Sequence, residues 1–443
     1  MNSQMLAKAL VTRRQALRLV VATSSAELIS ACGGSDEPTT ERTESAAPPS
    51  PSPAPAPTPA PSPSPAPSPA PAPVPSPAPA PTPAPSPSPA PAPAAGTPGW
   101  AASATVNVWM QIPGTSLSRI QPSVLPAGNP ARKVDAWCSM SLDSRTARLY
   151  QCAGGGHTDY AGNEVEMLDL ADESPAWIQL EPPSSTQSNG TYYSDGKPTS
   201  RHNYFGSHVN EFDNRIMLFG GAQYSSGAIL KTVDSFNLST NTYSPAGTHP
   251  NFPSSVSSAE MKPMCTDPRN GDVYVFGGSS TGFSNPAVVA WRRATNSWSS
   301  AVSVPLLSGN FRSACACWDS SRNVIVLISG TAMRVYNPST QTMTSATLSG
   351  ASIPAQNDAD FQGNSTVYVP ALDAYLHYVG TSGGTVYSIN ASTRVASSLG
   401  TTGGASIPSN QHGSFGRFRY VPALHGVVYA PTYSGNVWFL RAH

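Results

Sequence analysis

From residue 134 onward the hydrophobic positions fall in short runs rather than at helical spacing. Each run is bounded by Gly, Asp, Asn, Ser or Pro, the pattern of brief strands separated by tight turns. The runs themselves recur. RLYQCAGG at 148–155, RIMLFGG at 215–221 and DVYVFGG at 272–278 align directly, and NVIVLISG at 323–330, AYLHYVG at 374–380 and GVVYAP at 426–431 are weaker copies. A second apolar run follows each copy, at 164–170, 232–238, 287–293, 332–338, 385–391 and 436–442. The period of about 50 to 60 residues, with four short strands and Gly-rich turns per unit, predicts the blades of a β-propeller. Strands this short cannot bury an apolar face alone, so neighbouring units must stack around an axis and the ring must close. The fold class is therefore all-β with six blades, or seven if residues 114–133 or 181–200 hide strands.

The last copy ends at the C-terminus with no fourth strand. Upstream, NVWMQIP at 107–113 stands without a partner and resembles AWIQLE at 176–181, the fourth strand of the first unit. The N-terminal strand is expected to complete the sixth blade and pin the ring's ends together.

The strand-Gly-Gly pattern, followed by a loop, an apolar third strand and a fourth-strand Trp, as in Gly154-Gly155 through Trp177, resembles kelch repeats and the related propeller of the galactose-oxidase type. The resemblance covers residues 104–443 and implies a propeller. It says little of function, because this superfold carries binding modules and enzymes alike.

Composition divides the chain further. Of 47 prolines, 25 fall within residues 48–98, alternating with Ala, Ser and Thr in a stretch that has no charge and no aromatic residue. Such a tract favours polyproline II at about 3.1 Å per residue, giving a disordered but extended stalk of up to roughly 150 Å. Ahead of it, residues 1–31 have the basic start, mildly apolar middle and small-residue end of an export signal. Arg13 and Arg14 before Leu17 resemble a twin-arginine signal, and residues 28–32 resemble a bacterial lipobox, which implies lipidation of Cys32. A polar segment, 32–47, leads into the stalk, and Gly33 after Cys32 favours the outer membrane. These features together predict a protein of the bacterial cell envelope, tied to the membrane through a lipid. The balance of 25 basic and 25 acidic residues excludes an electrostatically driven nucleic-acid binder. A monomer is expected.

Candidate chemistry falls where loops converge, after the second strand and before the next first strand. The richest loop is GGGHTDYAGNE at 154–164, which holds His157, Tyr160 and Asn163. Glycines let backbone approach a ligand closely, and a histidine titrates near neutrality. The following TSRHNY at 199–204 reads as the start of the next inner strand, with Arg201, His202 and Tyr204 as an unusual run of donors. Equivalent places later hold Lys262, Arg312, Asp358 with Asp360, and Gln411-His412 with Arg417 and Arg419. Any of these can serve a ligand or knit neighbouring blades.

The expected partner is a polysaccharide or an envelope protein bound on this face. A sharper reading comes from resemblance to propeller lyases acting on ulvan-type polymers, which have a Gly-Gly-His loop and a Tyr on the next blade's inner strand; His157 and Tyr204 match those places. The resemblance implies β-elimination on a uronic acid, with Arg for the carboxylate and His and Tyr for proton transfer. Where that family has a second histidine this chain has Trp137, and its arginine falls near Gln223, leaving Arg201 and His202 as substitutes. A purely structural envelope protein is the third reading. No cofactor and no metal are expected: the ligand set of a copper-radical oxidase is missing, and no Cys/His spacing suits zinc. Cys138, Cys152, Cys265, Cys315 and Cys317 are an odd number. Cys138 and Cys152 are expected on adjoining strands, at disulfide distance, and Cys265 and Cys317 at equivalent places in neighbouring blades.

Overall fold

Alternate residues of each central strand face opposite sides, and both sides are buried. In the strand Arg215–Phe219, Ile216 and Leu218 pack toward one neighbouring blade while Met217 and Phe219 pack toward the other. This two-sided burial is why the second strands read as continuous apolar runs. The computed structural model describes residues 96–443 except 257–260, 279–283, 309–310, 355–361 and 381–382. The export signal, Cys32, the stalk, Asp358 and Asp360 lie outside the described residues. No helix among the described residues is long and apolar enough to cross a membrane.

Six sheets, antiparallel except where Ser349–Gly350 lies parallel to the last strand of the fifth, make a β-propeller. The first blade runs Ser141–Asp143, Arg148–Cys152, Val165–Asp169 and Trp177–Glu181, from the axis outward. The second has Ser207–Asn210, Arg215–Phe219, Val233–Asn237 and Thr242–Tyr243, and the third Met264–Thr266, Val273–Gly277, Ala287–Arg292 and Ser297–Trp298. The fourth comprises Ala316–Asp319, Val324–Ser329, Ala332–Asn337 and Thr342–Thr347; the fifth, Ser365–Val369, Ala374–Tyr378, Tyr387–Asn390 and Val395–Ser398. The sixth takes Phe418–Val421, Gly426–Tyr429 and Trp438–Arg441 from the C-terminus and Trp109–Gln111 from the N-terminal side. Residues 114–133 and 181–200 add no blade, so the count is six.

Closure by the N-terminal strand is as expected. Trp109 pairs with Leu440, Met110 with Phe439 and Gln111 with Trp438, antiparallel. The Trp109 indole is buried and donates its Nε1–H to the carbonyl of Gly384 at 2.8 Å. Gly384 and Gly404 form its slot: a Cβ on either would lie 3.0 or 2.7 Å from the indole Cδ1.

Six apolar clusters fill the interfaces between adjacent blades. The first-to-second-strand turns share a device: Asp143, Asn210, Asp267 and Asp319 each accept a hydrogen bond from a backbone N–H two residues on. In the last two blades, Pro370–Leu372 and Pro422–Leu424 form short 3-10 turns instead. Those turns ring one end of the axis; the second-to-third-strand loops ring the other.

Two expectations need correction. Residues 199–204 do not begin the second inner strand. Arg201–His202 pairs with Ala222–Gln223 in a separate two-stranded ladder, and the inner strand starts at Ser207. Gly206 permits the step between them, since a Cβ there would meet the carbonyl oxygen of Phe219 at 2.4 Å. Nor do Cys138 and Cys152 form a disulfide; all five cysteines are buried thiols. The register pairs Ser141 with Tyr150, which carried two residues further sets Cys152 opposite Ser139 and leaves Cys138 one residue out of phase. The Cys152 thiol faces the Tyr243 hydroxyl, while that of Cys138 faces the carbonyls of Arg132 and Arg201.

Candidate functional site

The second-to-third-strand loop of the first blade lies against the ladder that leads into the second. The backbone N–H of His157 donates to the carbonyl of Gln223 at 3.0 Å, and the His157 ring packs on Gly227, where a Cβ would stand 2.1 Å from the imidazole. Gly156 meets the backbone of His202 and Ala222 just as closely. The glycines of this loop are needed for loop-on-loop packing.

That packing brings His157, His202 and Tyr204 together. The His157 and His202 rings are 5.8 Å apart, centroid to centroid, and His202 and Tyr204 6.0 Å. His157 is exposed, while His202 and Tyr204 are buried. The His202 Nε2 donates to the Asp159 carboxylate at 2.8 Å, and Asp159 also faces Arg132 at 3.7 Å. Burial lowers the His202 pKa, with Asp159 working against that shift, so the imidazole is neutral near pH 7.

The aromatic array continues toward the sixth blade. The Trp137 ring lies 4.9 Å from His202 and 3.7 Å from His412. Burial, assisted by Arg132, pushes His412 down to about 4. Its Nε2 faces the exposed Gln411 amide at 2.8 Å, and its buried Nδ1 has no hydrogen-bond partner. Beside this stack, between the sixth and first blades, opens a cleft of about 610 Å³ walled by Asn129, Arg132, Asp135, Gln362, Asn410 and Gln411 among others.

Several residues here also have strained backbone. Trp137, His157, Thr158 and Tyr204 all have left-handed φ, at 45°, 37°, 67° and 48°, a conformation that non-glycine residues adopt at a cost of about 1–3 kcal/mol each and that clusters at functional sites. Met261 and Phe415 hold the same conformation ahead of the third and sixth inner strands, with φ of 50° and 39°. With Tyr204 they belong to one buried apolar cluster.

The remaining expected residues are placed elsewhere. Arg201 is fully buried: it pairs with Asp234 at 3.0 Å and donates to the carbonyls of Gly220 and Thr199 at 3.1 and 3.2 Å. Its guanidinium is a strut between the ladder and the second blade. Tyr160 is likewise buried, its hydroxyl donating to Glu164 at 2.8 Å. Glu164 and Glu166 hold the Lys133 ammonium between them. Burial alone would lower the Lys133 pKa, but the two carboxylates raise it above the ordinary value. Asn163 bonds Ser184 and the carbonyl of Pro198 inside its loop. Lys262 is buried and Arg312 half-buried ahead of the third and fourth blades, and neither walls the cleft. Arg417 clamps three carbonyls, of Ala430, Cys138 and Gly413, and Arg419 belongs to the opposite end of the axis.

The site residues absent from the expectations are Arg132, Asp135 and Asn410, with Trp137 and Asp159 in roles not foreseen. Arg132 and Lys133 are adjacent cations just before the first inner strand, the one sequence signal that pointed there.

Comparison with known proteins adds little beyond this geometry. No family model matches the chain, and no curated protein does. Among solved structures, that of YjhT is similar at 16% sequence identity and a TM-score of 0.38, over 59% of this chain and 75% of YjhT.

Proposed function

We propose that the protein is an exported, lipid-anchored propeller that binds an acidic glycan in the cleft between its sixth and first blades. The observation that carries this reading is the half-buried Trp137, stacked on His412, whose partner Gln411 walls the polar cleft that also holds Arg132. Sugar recognition uses an aromatic face for the ring's C–H surface and amides and hydroxyls for its oxygens. Asn129, Gln362 and Gln411 provide the amides, and Arg132, 37% exposed at its side chain, suits a uronic carboxylate. The unpartnered Nδ1 of His412 is a further polar group that a bound ligand satisfies.

The lyase reading has one feature in its favour: His157 and Tyr204 each stand about 6 Å from His202, ring centroid to ring centroid. Against it, His202 is sealed against Asp159, Tyr204 is 6% exposed, and Arg201 is locked to Asp234. A general base must reach the proton that it removes, and only His157 is open. Binding without turnover fits these placements better.

Titration calorimetry of the full-length protein against alginate, polygalacturonate and ulvan, with dextran as the neutral control, tests the reading. Saturable binding to an acidic polymer, weakened at least tenfold by Trp137→Ala, is expected; binding to none of them, or binding indifferent to Trp137→Ala and Arg132→Gln, refutes it. The same mixtures followed for the ultraviolet absorbance of an unsaturated uronate decide the lyase. Product that disappears with His157→Ala and Tyr204→Phe would displace the binding-only conclusion.

A further inference from the structure

The other end of the axis holds a second cavity, of about 330 Å³, to which all six inner strands contribute. It shares no lining residue with the cleft and opens among the first-to-second-strand turns. Its walls include the hydroxyls of Ser141, Ser207, Thr266 and Thr366, the imidazole of His208 and the guanidinium of Arg419.

Its charge is one-sided. Arg419 donates Nε–H and Nη2–H to the carbonyl of Met140, at 2.9 and 2.7 Å, and among the described residues it forms no ion pair. Its side chain is half-buried, and that burial lowers its pKa. The acid that lines the same cavity, Glu211, is occupied at the mouth by Ser144 and by Arg145 at 3.5 Å. Cys265 and Cys317 also line it, and burial pushes both thiols well above their ordinary range, so they bring no negative charge. A half-buried cation with no opposing carboxylate favours an anion beside it.

The hydrogen-bonding groups agree. His208 is 8% exposed, its Nδ1 sits 3.0 Å from the Thr266 hydroxyl, and its Nε2 has no partner. Either tautomer leaves a donor for an acceptor in the cavity. With hydrogen on Nε2, the ring donates directly; with hydrogen on Nδ1, Thr266 accepts it and its own O–H is released. The Ser207 hydroxyl bonds that of Ser141 at 3.2 Å, and the chain of the two leaves one further O–H. An oxyanion accepts several such bonds at once and offers none in return.

We propose that this axial cavity is a second binding site, for a small oxyanion of the carboxylate, phosphate or sulfate class, seated against Arg419, His208 and Thr266. Occupancy would tie together inner strands from separate blades and neutralise the cation at their centre.

The test is titration of the full-length protein with malonate, phosphate and sulfate at constant ionic strength, with chloride as the reference, following the melting temperature and the heat of binding. Sulfate and phosphate stabilise proteins generally by exclusion from their surfaces, so saturation is required. A saturable response to at least one anion, lost at least tenfold in Arg419→Met, is expected, and the anion that saturates at the lowest concentration identifies the class. No saturation with any of the three, or unchanged affinity in Arg419→Met, overturns the proposal. Should that variant not fold, the wild type still decides. Bound anion should slow methanethiosulfonate labelling of Cys265 and Cys317 while leaving Cys138 and Cys152 unaffected, and equal slowing of all four, or of none, overturns it.

Discussion

His202 and Asp159 stand 2.8 Å apart, imidazole Nε2 to carboxylate oxygen, on a ladder strand and a loop 43 residues apart in sequence. The pair ties the first blade's long loop to the ladder beside the second, and through His202 it backs the Trp137 ring. Removing the carboxylate leaves a buried imidazole N–H without its acceptor, which costs about 1–3 kcal/mol. Asp159→Ala should therefore lower the melting temperature and weaken glycan binding together, and Asp159→Asn should do less of both. Calorimetry of the two variants, scanned alone and titrated with the polymer that binds, checks this. Full stability with Asp159→Ala would mean that the pair is incidental.

Arg201 separates a strut from a site. Truncating it to Ala strands the Asp234 carboxylate, 5% exposed at its side chain, and breaking a buried pair in this way costs about 3–5 kcal/mol. The double replacement Arg201→Met with Asp234→Leu removes both charges and is expected to recover most of that loss. Denaturant unfolding of the single and double variants gives the comparison. A double variant as unstable as Arg201→Ala would assign the loss to packing instead.

The architecture was legible because the signal that specifies it is local. Ile216 to Phe219 alternate between two buried interfaces, and every second strand repeats that requirement, so six apolar runs announce six blades. The closing strand was legible for a related reason: Trp109 in its run resembles Trp177 in the first blade's fourth strand. The site was less so. Arg201 and His202 are neighbours in sequence, yet one is sealed against Asp234, 33 residues on, and the other against Asp159, 43 residues back, and neither partner is marked by spacing. Trp137 could not be recognised as part of the aromatic stack, because its left-handed backbone and its position over His412, 275 residues away in the chain, are products of ring closure. Tyr160 and Asn163 sit in the loop whose glycines drew attention to it, but their polar groups are consumed by Glu164 and Ser184 in holding that loop's shape.

Buried neutral histidines set the acid limit of the fold. His377 is wholly buried, with Nδ1 3.0 Å from the Thr366 hydroxyl and no partner at Nε2, and burial pushes it down to about 4; the same effect takes His208 to about 3. With folded values below the unfolded value of about 6.5, the unfolded chain binds more protons between those limits. The stability these residues allow is complete above pH 6.5 and lost as the pH falls from there toward 4, by on the order of 1.4 kcal/mol per residue for each unit. His377→Gln should flatten this loss while lowering stability at pH 7 only modestly. Urea unfolding of both proteins at pH 7.0, 5.5 and 4.5 gives the slopes, and parallel slopes would exclude His377 as a source.

Ring closure rests on Trp109 more than on any other residue of its strand. Three register pairs alone hold a strand of this length weakly, but the indole adds a buried surface shared with Tyr378 and Phe418, at 6.0 and 6.2 Å, and the bond to Gly384. Trp109→Ala leaves a cavity where two glycines have made room for an indole, a loss of about 3–5 kcal/mol for a buried tryptophan. Met110 on the same strand is only half-buried, and Met110→Ala should cost far less. The same slot predicts that Gly404→Val excludes the indole, since a Cβ there falls 2.7 Å from both the ring and the Gly384 Cα, and so reproduces the Trp109→Ala effect without touching Trp109. Hydrogen exchange at Asn107 and Trp109, whose N–H groups donate to Arg441 and Thr402 at 2.9 Å, should accelerate in both variants before the interior of the third and fourth blades responds. Uniform acceleration around the ring would show that the propeller opens cooperatively instead of at this seam.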